Sequence, residues 1–489
     1  MTPHGPTPRA RPWVTALSLA LLTAAFLWPA LVTGAPWAFA DTPSYYKGGA
    51  AAWAFVLDGL GLRDPASQAA APAGLPGAAH AQEVAPVAPA AEVQEAEAAD
   101  RNVRYGIRSA PYSVLVYLLT RFVSLWAPVA AMSLATATLV WLAARDLAPG
   151  PRLLLGLGLA AVTALPFFGA LFQPDILTAA VVLVPIVLML HGRYLGLGAV
   201  LALLALFGFA TLAHYGNLPL AGLAVVWLMG WGLRRGRRLL VGLVAAPLAG
   251  ALLVNLAVAL AIDAGPSLAP GRHPLLLARS IEDGPGRRYL AEACPEAGWA
   301  LCEVYETMPG NIHAFLWGPR SVSEVATPEQ LARVSAEELP LLVAIVRHDP
   351  WGQAAAFLRN AARQFVLFGS AGGNPARYRV TPRTMEVELE AVAWRPSVPA
   401  GLQVVAVALG AAALLWAVRR RRHPEALPAA LFLLVSLVAY AAVCGGLSAP
   451  VPRYQARLVW LVPLLGAVLA LAPPRPATAT ATAPAARRP

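Results

Sequence analysis

Charge is scarce in this sequence. Asp, Glu, Lys and Arg make up only 13% of the residues against 58% hydrophobic ones, whereas a soluble domain carries about 25% charge. Cysteine numbers three, which excludes a disulfide-built scaffold and a cysteine-rich metal centre. Lysine is nearly absent, so arginine supplies almost all of the basic excess. What is abundant is apolar: the mean hydropathy is +0.59 over 489 residues, far more apolar surface than one soluble core needs. The chain therefore reads as a polytopic membrane protein. Its net charge of +11 first has to be tested against the positive-inside bias of cytoplasmic loops. It meets that test, and nucleic acid drops out as a partner.

Residues 13–35 are apolar and long enough for the roughly 20 residues of a span, behind a short polar segment, 1–12, expected in the cytoplasm. Thr33-Gly34-Ala35 and Ala38-Phe39-Ala40 would also suit signal cleavage, but the many spans that follow favour retention. Hydropathy places further spans near 124–144, 153–172, 176–190, 195–213, 218–233, 239–262, 402–418, 426–444 and 458–471, about ten in all. The inner turns then hold RRGRR at 234–238, RRRRH at 419–423 and Arg487-Arg488, whereas the outer turns hold Gln173-Pro174-Asp175, 214–217 and 445–455. Both termini are expected inside, and the arginine-over-lysine composition points to a bacterial inner membrane. Cys444 reads as an apolar filler in a span.

The expected fold is an all-α polytopic membrane protein of about ten transmembrane helices, with interfacial helices in the first outer loop and a small mixed periplasmic domain. The divisions are a periplasmic loop at 36–123, a transmembrane bundle at 124–262, the periplasmic domain at 263–400, C-terminal transmembrane helices at 401–472 and a cytoplasmic tail at 473–489.

The first loop opens with WAFADTPSYY at 37–46, which puts Asp41 just outside the membrane beside Tyr45, Tyr46 and Lys47. Residues 44–62 and 113–120 suit helices lying in the interface, the second ending at Arg121 because an arginine in mid-bilayer is expensive. Between them lie an Ala/Pro-rich insertion at 64–100, too poor in apolar side chains to fold alone, and the basic segment RNVRYGIRSAPY with Arg104. In the domain at 263–400, Cys294 and Cys302 on the oxidising side are expected to form a local disulfide, and helices are expected near 329–347 and 351–368. Arg279, Arg287 and Arg288 flank Gly284-Pro285-Gly286. There they form either a phosphate-binding fork or a solvated loop paired with Glu282 and Asp283.

This topology gathers Asp41, Asp175, His214, Asn217, those arginines and Arg453 on one outer face, as a site for a membrane-delivered substrate requires. Each has a plainer role: a helix N-cap for Asp41, a helix-dipole partner for Asp175, an aromatic-belt anchor for His214 and Asn217, and a snorkelling anchor for Arg453-Tyr454. The layout resembles the GT-C superfamily of polyprenyl-phosphate-dependent glycosyltransferases, which includes the protein O-mannosyltransferases and the lipid A aminoarabinose transferase. The resemblance lies in the first span, Asp41 with Tyr45-Tyr46 ahead of interfacial helices, Pro174-Asp175 opening a later span, and Pro452-Arg453-Tyr454 ahead of the last. It implies Asp41 as catalytic base or acceptor-positioning group, Asp175 as a second acid holding the acceptor or a divalent metal ion, and Arg453 on the lipid phosphate. The implied partners are a polyprenyl-phosphate sugar donor, a lipid or glycan acceptor and membrane lipids. The sequence departs from that superfamily in its single first-loop acid, its Ala/Pro-rich insertion and its domain at 263–400.

Two other classes stay open. A transporter or flippase of lipid-linked or anionic substrates would show inverted repeats and polar groups at the bilayer midplane; no repeat is evident, and Asn255 is the main mid-span polar residue. A non-enzymatic envelope assembly protein would use the Cys294/Cys302 domain to bind a partner.

Overall fold

A computed structural model describes residues 11–39, 41–62, 108–261, 267–268, 273–294, 296–369, 376–380, 387–391 and 397–474. The Ala/Pro-rich insertion, Arg104 and both terminal segments lie outside these. The protein is a predominantly helical membrane protein. Among the described residues, five helical segments are long and apolar enough to cross a bilayer: Pro174–Tyr194, Arg238–Ala261, Ala400–Arg419, Ala426–Gly446 and Pro452–Leu471. A sixth arises if Ala110–Phe122 and Ala127–Ala143, bent by 119°, count as one.

About ten spans were expected, and fewer helices are this long because several apolar runs fold as shorter pieces. The first divides into Pro12–Phe26 and Trp28–Thr33, where Pro29 lacks the N–H that would continue the ladder. The run at 153–172 ends its helix at Val162. Thr163 Oγ1 donates to Leu159 O (2.7 Å) and accepts from Leu165 N (3.3 Å), so the backbone leaves the helix and resumes as the short Leu165–Gly169. The last span was expected from 458 but starts at Pro452, so Arg453 and Arg457 lie inside it.

Pro174–Tyr194 is the central helix, buried almost throughout, whereas Arg238–Ala261 and Ala400–Arg419 expose most of their apolar surface. Glycine sets the closest helix approach. A Cβ on Gly466 would lie 2.2 Å from Gly410 O, and one on Gly410 would lie 2.4 Å from Pro463 Cα, the small-residue packing by which membrane helices touch at the backbone. Gly466→Val is expected to lower the melting temperature of the detergent-solubilised protein by several degrees. Gly250→Val, where a Cβ meets nothing within 4 Å, is expected to leave it unchanged.

The two ends of the bundle differ chemically. At one, Arg145 donates to Tyr194 O (3.2 Å), Arg235 pairs with Glu425 (3.1 Å), Trp231 Nε1 donates to the same carboxylate (2.7 Å), and Arg422 donates to Ala472 O (2.7 Å). Arginines stack there on aromatic rings, Arg152 on Trp141 (5.1 Å), Arg193 on Tyr194 (4.5 Å) and Arg237 on Trp231 (5.2 Å), the chemistry of a membrane-edge belt.

The other end carries a unit with its own apolar core, including Leu277, Ile281, Leu301, Phe315, Leu341 and Ile345, within the 263–400 segment that was expected to be extramembrane. Its longest helix, Pro328–His348, starts with a capping box between Thr327 and Gln330, and Cys294 and Cys302 are disulfide-bonded with Cα atoms 5.5 Å apart. A three-stranded antiparallel sheet ties this end together: Trp37–Ala38 pairs with Ala376–Val380, which pairs with Val387–Ala391. Trp37 N also donates to Ala170 O (2.8 Å), and Phe172 N donates to Trp37 O (2.9 Å). The backbone leading into Asp41 is thus stitched to the backbone leading into Asp175.

Candidate functional site

Asp41 begins the Thr42–Gly59 helix, yet its side chain makes no capping bond. Thr42 Oγ1 takes the nearby Phe39 N–H instead (2.9 Å), leaving the Asp41 carboxylate to Arg108, whose Nη2 donates to Oδ1 at 2.6 Å. Both side chains stay about a third exposed (35% and 30%). Arg108 precedes the Ala110–Phe122 helix, which Ser109 caps by accepting from Tyr112 N. The two helices meet closely, since a Cβ on Gly49 would fall 2.1 Å from Ser113 O. Tyr45 meets Tyr112 edge-on (5.1 Å), and Tyr112 donates to Phe172 O (2.7 Å), three residues before Asp175. Burial pushes the Tyr45 phenol above its ordinary value, so it stays protonated.

The second half of the site is buried. Asp175 forms an ion pair with Arg457, and both side chains are about 1–2% exposed. Arg457 Nη1 donates to Tyr440 Oη (2.7 Å), and its guanidinium lies under the Tyr454 ring (4.9 Å). Arg453 stacks on Phe39 (4.2 Å) and reaches Gln173 Oε1 (3.4 Å). An arginine from the last span therefore stands between the Asp41 loop and the Asp175 turn. Among the described residues, Asp175 Oδ2, Gln173 Nε2 and the Nε atoms of Arg108, Arg453 and Arg457 are buried without a hydrogen-bond partner. Buried polar atoms are rarely left so, and these five belong to the Asp41–Arg108 and Asp175–Arg457 pairs and the Arg453–Gln173 contact.

His214 lies in the turn after the Leu197–Ala213 helix, where its Nδ1 accepts from Gly216 N (3.0 Å); this puts the ring proton on Nε2. Burial first, then the Arg457 charge, push His214 down to about 3, with Asp175 opposing. His273 of the extramembrane unit is pushed down to about 4 by burial and then by Arg108. Both rings fold uncharged and take up protons near 6.5 once unfolded, so their contribution is complete above about pH 6.5 and is lost as the pH falls towards 4 and then 3. The melting temperature is expected to drop between pH 7 and pH 5, and His214→Gln is expected to flatten part of that slope.

Asn217 is buried with Nδ2 donating to Ala210 O (2.8 Å) and Oδ1 without a partner among the described residues. Other expected residues are not brought to this cluster. Tyr46 turns away onto Tyr117 (5.4 Å), and Lys47 is exposed. Arg279 is buried between Asp283 (2.7 Å) and Ser448 O (3.3 Å), Arg287 donates to Gly310 O (2.7 Å), and Arg288 pairs with Asp349. These three hold the extramembrane unit together. Phe39, Arg108, Gln173 and Arg457 belong to the site and were not among the expected residues. For Arg457 a signal existed, because an ionisable residue within an apolar span marks a functional candidate.

The donor set suits an anion better than a divalent cation. Each carboxylate already carries a guanidinium, and among the described residues no three His, Cys, Asp or Glu side chains gather. Fold and site together define a predominantly helical membrane protein with a polar, arginine-rich cluster at one end of its bundle. No family model, no curated protein and no solved structure matches the chain.

Proposed function

We propose that the chain is a membrane glycosyltransferase of the GT-C kind that moves a sugar from a polyprenyl-phosphate donor to a lipid or glycan acceptor of the cell envelope. The observation that carries this reading is an accessible carboxylate, Asp41, at the same end of the bundle as the half-buried Arg453 and the buried Arg457, whose buried Nε–H groups have no partner among the described residues. Transfer needs both. Asp41 takes the proton of the acceptor hydroxyl as its oxygen bonds the anomeric carbon, while the bond from that carbon to the phosphate oxygen breaks and the arginines stabilise the departing charge. One displacement inverts the sugar and needs no carboxylate nucleophile.

In this reading the site faces the periplasm and the arginine–aromatic end faces the cytoplasm of a bacterial inner membrane. The shorter apolar helices, Pro12–Phe26, Pro149–Val162 and Leu197–Ala213, and Asn217–Arg234, cross as well. That brings the crossings to about ten and both termini to the cytoplasm.

The test is the purified protein in lipid nanodiscs with a panel of radiolabelled polyprenyl-phosphate sugars and a crude envelope acceptor fraction. Release of polyprenyl phosphate matched by labelled acceptor supports the reading. Movement of an intact lipid-linked sugar across proteoliposomes, with its phosphate–sugar bond unbroken, favours a flippase.

A further inference from the structure

The helix Pro350–Val366 of the extramembrane unit has an unusual distribution of side chains. One face, with Ala356, Asn360 and Gln364, is buried against the end of the Ala426–Gly446 span. A Cβ on Gly445 would lie 2.4 Å from Gln364 Cβ, and one on Gly446 would lie 2.4 Å from Phe357 Cε2. Gln364 also bonds both backbone groups of Val451, accepting from N (2.7 Å) and donating to O (3.0 Å). The packed face is thus the more polar one. On the opposite face, Trp351, Ala355, Leu358, Ala362, Phe365 and Val366 recur at helical spacing and are exposed, Trp351 by 84%, Leu358 by 65% and Val366 by 70%. Arg359 and Arg363 border this stripe, also exposed, and make no ion pair among the described residues.

A helix in water turns its apolar stripe inward, and this one turns it outward. We propose that Pro350–Val366 lies in the surface of the bilayer, its apolar stripe among the upper acyl chains and Arg359 and Arg363 on anionic lipid headgroups. Two observations select a lipid surface as the occupant. The helix is locked onto the end of a candidate span, which puts it at membrane depth, and a Trp/Leu/Phe face bordered by arginines is the composition of an interfacial amphipathic helix. Gln364 grips Val451, two residues before Arg453, so this anchor also fixes the height of the extramembrane unit above the Arg453–Arg457 turn. The proposal does not depend on the transferase reading.

The test uses the full-length protein in vesicles of phosphatidylcholine with phosphatidylglycerol, carrying a nitroxide on a single introduced cysteine. Cys294 and Cys302 are bonded to each other and Cys444 is buried, so labelling is confined to the new site. Leu358→Cys and Val366→Cys are expected to give labels that collide with oxygen at least several-fold more than with a water-soluble nickel chelate, whereas Glu329→Cys gives the reverse. Aqueous accessibility at Leu358→Cys equal to that at Glu329→Cys would overturn the proposal. So would dipolar broadening between labels that shows a second copy covering the stripe. Arg359→Gln with Arg363→Gln is expected to shift the label outward in anionic vesicles only; equal depth in anionic and neutral vesicles for the unsubstituted arginines would overturn the headgroup assignment.

Discussion

Asp41→Asn is expected to lower sugar transfer by about 10²–10⁴-fold, the usual contribution of a general base, with little change in folding. Asparagine keeps an oxygen for the Arg108 N–H that Asp41 now accepts at 2.6 Å, so the Thr42–Gly59 and Ala110–Phe122 helices stay in register. The ion pair it removes is about one third exposed on both sides, and pairs of that kind contribute about 0–1 kcal/mol. Initial rates in nanodiscs and the melting temperature, measured on the same preparation, separate the two effects. A rate within about threefold of wild type would remove Asp41 from the chemistry. A matching fall in rate and melting temperature would make its role structural.

Arg457→Met is expected to destabilise the protein by about 3–5 kcal/mol, because it leaves the Asp175 carboxylate buried without its counter-charge. Asp175→Leu is expected to cost a comparable amount by stranding Arg457, whose remaining contacts, the Tyr440 hydroxyl and the Tyr454 ring, carry no counter-charge. Replacing both at once removes the uncompensated charge, so the double variant is expected to recover most of the lost stability. It is also expected to stay inactive in transfer, since the guanidinium proposed to receive the phosphate is gone. Additive losses in the double variant, seen in detergent melting curves, would show that the two residues do not act as a pair.

The class of the protein was legible in the scarcity of charge, and the two chemically distinct ends were legible in the placement of RRGRR, RRRRH, Asp41 and Asp175. How many of the apolar runs form long unbroken helices was not. Hydropathy averages over Thr163 and Pro29, whereas the backbone responds to one hydroxyl or one missing N–H by ending a helix. Half of the site was also hidden. Asp41 and Arg453 stand out as charges beside turns, but Arg457 is tolerated in a span only because Asp175, 282 positions away in sequence, neutralises it. Hydropathy alone, blind to that partner, starts the last span past it, at 458. Arg108 was passed over for Arg104 within one basic segment, where spacing does not tell which guanidinium reaches Asp41. The Arg279, Arg287 and Arg288 group had two open readings, and the structure shows the paired one. Arginines beside a Gly-Pro-Gly turn suit phosphate chemically, but Asp283, Gly310 and Asp349 already hold them in the folded unit.

The most direct test of the transferase reading is mass spectrometry of envelope glycans and glycolipids from a strain lacking this protein, complemented with wild type or with Asp41→Asn at matched expression. The account predicts that one sugar modification disappears on deletion, returns with wild type and stays absent with Asp41→Asn, and the missing group then names the donor sugar. Full restoration by Asp41→Asn, or a glycan profile that deletion leaves unchanged, would contradict it.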